Sequence, residues 1–262
     1  ASRTSSSSNV RRTDGNKQNF LLRAAWGDDV VFATQKVKKN EQLTCAGAKN
    51  DLKLISITCS EEYANKFQKP GQFVQMKLKK DDKAAFIAIA SKCDSKANEM
   101  EFLVKYVDGS TAGLVCQTNV GDEVLVSEPM GKGFQIPDDA DGAEVLLFAA
   151  GSGISPIKSL LESDKLPKNS TKTLFYGTRN KEHTAFMSEV SKCSSKVINA
   201  YSEDGLGYVQ DYFKRMTESG EVKLSNPNRA IAILCGQKEM TEAVIELLVN
   251  AGVPRERCLM NF

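Results

Sequence analysis

From residue 144 onward the chain alternates short apolar runs with stretches of helical periodicity. The apolar runs fall at 144–150, 173–176, 196–201 and 230–234. Between them, apolar residues recur three or four apart at 157–162, 183–191, 209–217 and 239–250, the spacing that makes one apolar face. Short buried-looking strands alternating with helices predict a doubly wound parallel sheet. Before residue 130 the texture differs. The segments 52–60, 71–78, 86–91, 100–107 and 123–128 are short strand-like runs, partly alternating, separated by Gly, Pro, Asp and Lys. That pattern predicts a small antiparallel β-barrel. The expected architecture is two-domain: an extended or disordered N-terminal segment at 1–28, an N-terminal antiparallel β-barrel at 29–138, and a C-terminal α/β doubly wound parallel sheet at 143–262. Residues 138–142 are the expected linker.

The first strand of the second half runs into Gly151-Ser152-Gly153-Ile154-Ser155-Pro156. Glycine permits close backbone approach to a ligand, and a helix starting at 155–158 offers unpaired N–H groups and a positive dipole end to a pyrophosphate. A lone Gly-x-Gly is weak evidence, because many strand-to-helix turns need glycine for steric reasons. Gly177 and Gly236 also fall at predicted strand ends. In open α/β sheets the ligand crevice lies there, and three glycine-bearing ends on one edge predict a nucleotide site.

Charge and cysteine usage narrow the classes. The formal net charge is +2 with acids and bases interspersed, so the chain carries no nucleic-acid-binding field. No apolar run has the length of a membrane span. The basic clusters at 36–39 and 77–83 read as solvated surface. The seven cysteines never fall two or three positions apart, which argues against a zinc ribbon, a C-x-x-C pair or an iron-sulfur cluster within the chain. The single histidine, His183, near the start of a predicted helix, is expected to be exposed rather than catalytic. Residues 1–17 are rich in Ser, Arg and Lys with one acid, Asp14. That composition is disorder-prone and resembles the remnant of an organelle transit peptide, a plastid address with the mitochondrion as alternative; a simple flexible tail fits equally.

Taken in order, Gly71-Gln72-Phe73-Val74, Phe86-Ile87-Ala88-Ile89-Ala90-Ser91, Gly109-Ser110-Thr111 and Gly121-Asp122-Glu123-Val124 resemble the ferredoxin-NADP reductase superfamily. So do Glu128-Pro129-Met130-Gly131, the Gly151 turn, Tyr176-Gly177-Thr178-Arg179, Cys235-Gly236-Gln237 and the terminal Phe262. The resemblance spans about residues 30–262. Within the superfamily the sequence is similar to the plant and algal plastid group often labelled fruit protein or FAD/NAD(P)-binding oxidoreductase.

The resemblance implies a flavin on the barrel and NADP or NAD on the second domain. In the family the first flavin motif reads Arg-x-Tyr-Ser/Thr: arginine on the diphosphate, tyrosine against the ring, hydroxyl near its N5. Here those positions hold Ala85, Ile87 and Ala88. Losing the arginine removes a charged contact of about 1.5–3 kcal/mol. Ala88, Ile89 and Ser91 remain the strand positions nearest the flavin, and Gly109, Ser110 and Thr111 fall where the diphosphate is held; an ordinary Asp-Gly turn with a capping serine explains them equally. For the nicotinamide nucleotide the resemblance assigns Gly151, Ser152, Gly153 and Pro156 to the pyrophosphate, with Gly177, Gly236 and Arg179 beside it. Arg179 can instead pair with Glu182 or Glu203. Ser202 falls at the adenosine ribose, but Glu203 and Asp204 follow and would repel a 2′-phosphate, so NADP and NAD stay open, as do FAD and FMN. Cys235 falls near hydride transfer or is a buried thiol; Phe262 covers the flavin in some relatives or is a core plug.

The reading that follows is a flavoprotein oxidoreductase passing a hydride from NAD(P)H to bound FAD, and electrons on to an unidentified acceptor, a redox protein or host complex. Its main rival is a structural or regulatory subunit of a larger photosynthetic or respiratory complex that keeps the fold without efficient flavin chemistry. A flavin-free dehydrogenase fits less well, since a barrel-like half precedes the nucleotide turn.

Overall fold

The computed structural model describes residues 30–44, 51–93 and 98–261. The first half forms one antiparallel sheet of β1 (Phe32–Gln42), β2 (Leu52–Thr58), β3 (Phe73–Lys77), β4 (Ala85–Ala88), β5 (Glu99–Lys105) and β6 (Glu123–Ser127), ordered β4-β3-β6-β1-β2-β5. Just past β4, an antiparallel bridge between Ile89 and Phe102 joins the two edge strands and brings the sheet near closure as a barrel. Ile55, Ile57, Val74, Met76, Ile87, Ile89 and Phe102 fill its interior. Among the described residues of this half are two short helices, α1 (Glu61–Ala64), capped by the Ser60 hydroxyl, and α2 (Thr111–Cys116), capped by Ser110.

The second half is a five-stranded parallel sheet ordered β11-β10-β7-β8-β9, built from β7 (Val145–Ala150), β8 (Lys172–Thr178), β9 (Lys196–Tyr201), β10 (Ile231–Cys235) and β11 (Cys258–Met260). Its helices are α3 (Ile154–Glu162), α4 (Met187–Cys193), α5 (Val209–Glu218) and α6 (Lys238–Asn250). The chain builds outward from β7 through β8 to β9, then returns to place β10 on the other side of β7. The strand order therefore reverses between β7 and β10, the place where such sheets open a crevice for ligands.

The two halves share apolar packing. Leu52, Leu54, Ala90, Leu103 and Phe134 lie in the same buried cluster as Ile154, Ile157, Leu160 and Phe186. The expected linker at 138–142 is tied down as well: Arg229 Nη2 donates to the carbonyls of Asp139 and Asp141, each at 3.0 Å, and Arg257 pairs with the Asp139 carboxylate.

Two expectations are corrected, and one strand is an addition to them. The basic stretch 36–39, solvated as expected, lies within β1, where among these four residues only Val37 is buried. Its charged, outward-facing positions hide the strand alternation. The helix expected at 183–191 starts at Met187, because Asn180 accepts from the N–H groups of Glu182 and His183 and holds a 3₁₀ turn there, and Phe186 then adopts left-handed backbone with φ +59°. His183 is half-buried rather than exposed, its Nδ1 2.6 Å from Asn180 Oδ1. The expected segment 1–28 lies outside the described residues.

Candidate functional site

At the reversal point, β7 ends in a 3₁₀ turn, Gly151–Gly153, that leads directly into α3. Gly151 has φ +54°, and a Cβ placed there meets nothing within 4 Å. This is open left-handed backbone that suits glycine. Gly153 is glycine for a different reason: a Cβ there falls 2.2 Å from the Cys235 carbonyl oxygen, so the turn rests on the end of β10. Ser152 is half-buried between them. As the first residues of the 3₁₀ turn, Gly151 and Ser152 have N–H groups with no acceptor inside it, whereas the i→i+3 pattern takes the Gly153 N–H to the Ala150 carbonyl. Pro156 is buried in the first turn of α3 and supplies no donor. Beside it Ser155 is buried with its Oγ unpartnered among the described residues.

Tyr176 braces this turn from below. Fully buried, it donates its hydroxyl to the Gly151 carbonyl at 3.3 Å and accepts from the Ala185 N–H at 3.3 Å. Burial holds its phenol far above the ordinary range. Gly177 and Gly236 are closed positions: added Cβ atoms would lie 2.4 Å from a Val209 methyl and 2.3 Å from the Met240 methyl. At the ends of β8 and β9, Arg179 Nε lies 3.3 Å from Glu203 Oε1, and Asn180 Nδ2 donates to Glu203 Oε2 at 2.8 Å. The Glu203 pairing expected for Arg179 forms. Ser202 opens the 3₁₀ turn that carries Glu203.

On the barrel, Ile87 is buried in the core while Phe86 is 52% exposed and packs edge-on against Phe73, ring centroids 6.0 Å apart. Ala85 and Ala88 are half-buried, Ile89 is fully buried, and Ser91 Oγ accepts from the Glu101 N–H at 3.2 Å. The Ser110 hydroxyl donates to the Val107 carbonyl at 2.7 Å and accepts from the Gly113 N–H at 3.1 Å. Thr111 Oγ1 donates to the Lys83 carbonyl at 2.6 Å. Both hydroxyls are thus engaged in the fold, which leaves the main chain available to a ligand there: Gly109, at φ +69° with open space beside it, and the first N–H groups of α2. The nucleotide turn fits a dinucleotide pyrophosphate. The barrel fits a flavin through its backbone alone.

Cys235 ends β10 as a buried thiol, which burial pushes up to about 12. Phe262 lies outside the described residues; the neighbouring Asn261 is buried and donates from Nδ2 to the Gly71 carbonyl of the barrel at 3.2 Å. Asn261 and Lys158 escape sequence reasoning, and Tyr176, quoted there only within a motif, shows its bracing role only in the fold. For Lys158 a signal exists: it falls four residues after Ile154 and inside the apolar arc of α3. Among the described residues no group of three or more His, Cys, Asp or Glu is placed to hold a metal ion, and no helix is long and apolar enough to cross a membrane.

Comparison with known proteins agrees with this arrangement. Residues 147–246 match the oxidoreductase NAD-binding domain family. Fruit protein pKIWI502 of Actinidia deliciosa is 28% identical over 227 residues, covering 79% of this chain and 70% of that protein. Sulfhydrogenase 1 subunit gamma of Pyrococcus furiosus is 28% identical over 228 residues, covering 77% and 74%. A crystal structure of a ferredoxin NADP⁺ reductase from Neisseria gonorrhoeae with bound FAD and NADP superposes with a TM-score of 0.68 at 20% identity, covering 86% of this chain and 93% of that one.

Proposed function

We propose, for a chain with the ferredoxin-NADP reductase fold and an oxidoreductase NAD-binding domain at residues 147–246, that it is a flavoprotein reductase drawing reducing equivalents from NAD(P)H. The observation that carries the reading is the Gly151–Gly153 turn, seated on Cys235 where the sheet order reverses, with its flanking Ala149 and Ile154 in one apolar core with the barrel strand end at Ala90. Gly151 and Ser152 hold the pyrophosphate by main-chain N–H groups and the helix dipole, with Gly153 letting the turn seat on β10. Arg179 and Ser202 flank the adenosine end, and Glu203, bound to Arg179, makes that end less welcoming to a 2′-phosphate. Gly236 and the uncharged thiol of Cys235 bound the nicotinamide end without a titrating group. Gly109 and the start of α2 hold the flavin diphosphate by main chain. When bound, FAD supplies the hydride-accepting and electron-releasing chemistry, and the protein's contribution is position and exclusion of water.

The onward acceptor is a redox protein or host complex in this reading; the subunit status of the Pyrococcus relative supports it. A plastid address belongs to the same proposal and is supported by the Ser-, Arg- and Lys-rich composition of residues 1–17 and by the plant relative. A second reading, a reductase-fold subunit that has lost flavin chemistry, is favoured by one observation: Ile87 sits in the barrel core where the family places a ring-facing tyrosine. Calorimetric titration with NADH and with NADPH tests the nucleotide half. At least one is expected to bind within roughly the 1 µM–1 mM span usual for enzyme substrates; absence of heat with both at millimolar concentration removes the nucleotide site.

A further inference from the structure

The helix that leaves the nucleotide turn carries a lysine where its apolar face meets the barrel. Lys158 is only 5% exposed, on a helix whose Ile154, Ile157, Leu160 and Leu161 are all buried. Its ammonium donates to the Ala90 carbonyl at 3.3 Å and to Glu162 Oε2 at 2.9 Å. It also lies 3.7 Å from Glu101 Oε2 and 5.1 Å from the centre of the Phe186 ring. Two of these partners belong to the barrel, and they are themselves joined. The Ala90 N–H donates to the Glu101 carbonyl at 2.8 Å, and the Glu101 N–H donates to Ser91 Oγ at 3.2 Å. One ammonium therefore grips both strands at the point where the barrel nears closure.

On its other side the lysine covers a strained segment. Phe186 holds φ +59°, a conformation that is costly for a bulky residue and persists only where the surroundings enforce it. Its neighbour Ala185 is tied through the Tyr176 hydroxyl to the Gly151 carbonyl. A continuous set of contacts thus runs from the end of the flavin-side strand, through Lys158, Phe186 and Tyr176, to the nucleotide turn. Buried ion pairs seldom add stability over apolar packing, so a charge at this junction is better accounted for by the geometry it enforces.

We propose that Lys158 is a positioning residue: it locks the barrel strand end at Ala90 and Glu101 to the helix behind the Gly151–Gly153 turn and so sets the spacing between the two cofactor sites. The inference rests on the reductase reading above. It is tested by anaerobic stopped-flow reduction of flavin-loaded protein with NADH or NADPH, comparing wild type, Lys158→Met and Glu101→Gln. The limiting rate of reduction is expected to fall about 10- to 100-fold in Lys158→Met, the scale of a misplacement of about 1 Å, and to fall less in Glu101→Gln. The nucleotide Kd should stay within about threefold, because the turn itself is untouched. An unchanged limiting rate in both variants overturns the proposal, as does a loss confined to Kd. If Lys158→Met does not fold, Glu101→Gln alone decides by the same readout. If wild type takes up no flavin or is not reduced, the reductase reading fails, and hydrogen exchange judges the lock separately. At least tenfold faster exchange of the Ala90 and Ala185 amides in the folded variant supports it, and unchanged exchange overturns it.

Discussion

Gly153 lacks a side chain because a neighbouring carbonyl occupies the space, whereas at Gly151 the space beside the backbone is open. The two glycines of one turn thus do different work, one for packing and one for approach. Gly153→Ala must displace the end of β10 and is expected to lower stability by about 1–3 kcal/mol, the usual range for overpacking, as read by chemical denaturation; an unchanged midpoint would show that the turn yields without cost. Cys235, beside it, is an ionisable group kept from ionising. With its thiol pushed up to about 12, roughly one part in 10⁴ is thiolate at pH 8, since the thiolate fraction falls tenfold for each unit between pH and pKa. Alkylation of native Cys235, followed by mass spectrometry, should therefore rise about tenfold per pH unit from pH 7 to 9. A plateau in that window would contradict a buried, uncharged wall. The glycine turn was legible because its chemistry is local in sequence. The hydrogen bonds of Tyr176 to Gly151 and of Asn261 to Gly71 were not, because each joins residues whose separation only the fold closes.

At the level of elements, β4 carries the sharpest departure from a flavin-binding strand. Ala85 opens it half-buried, opposite Met76, and presents no charge to a diphosphate. Ala85→Arg is expected to tighten flavin binding about 10- to 100-fold, the equivalent of one charged hydrogen bond of about 1.5–3 kcal/mol, measured by fluorescence titration. No gain would place the diphosphate elsewhere. Helices α3, α5 and α6 were readable from periodicity, since each turns an apolar stripe to the sheet. The exceptions have physical causes. In β1 charged side chains cover an outward-facing strand, in β11 three residues are too few to show a period, and α4 is delayed by the Asn180 turn and the left-handed Phe186.

Across the whole molecule, barrel and parallel sheet meet through a buried apolar cluster rather than a wet hinge, with Lys158 the charged group set into that junction. Such a junction suits a protein that must hold two cofactor sites at a fixed separation, because packed cores resist continuous deformation. The two-domain class was legible from the change of texture between the halves, but the shared core was not, since it pairs barrel residues Leu52 and Leu54 with helix residues about a hundred positions away. The most direct test of the central claim is the visible absorbance spectrum of purified protein after incubation with FAD and removal of the excess, recorded before and after anaerobic addition of NADH or NADPH. A retained flavin band that bleaches with at least one nucleotide is the expected result. A protein that stays colourless, or whose flavin band neither nucleotide changes, would contradict the reductase account.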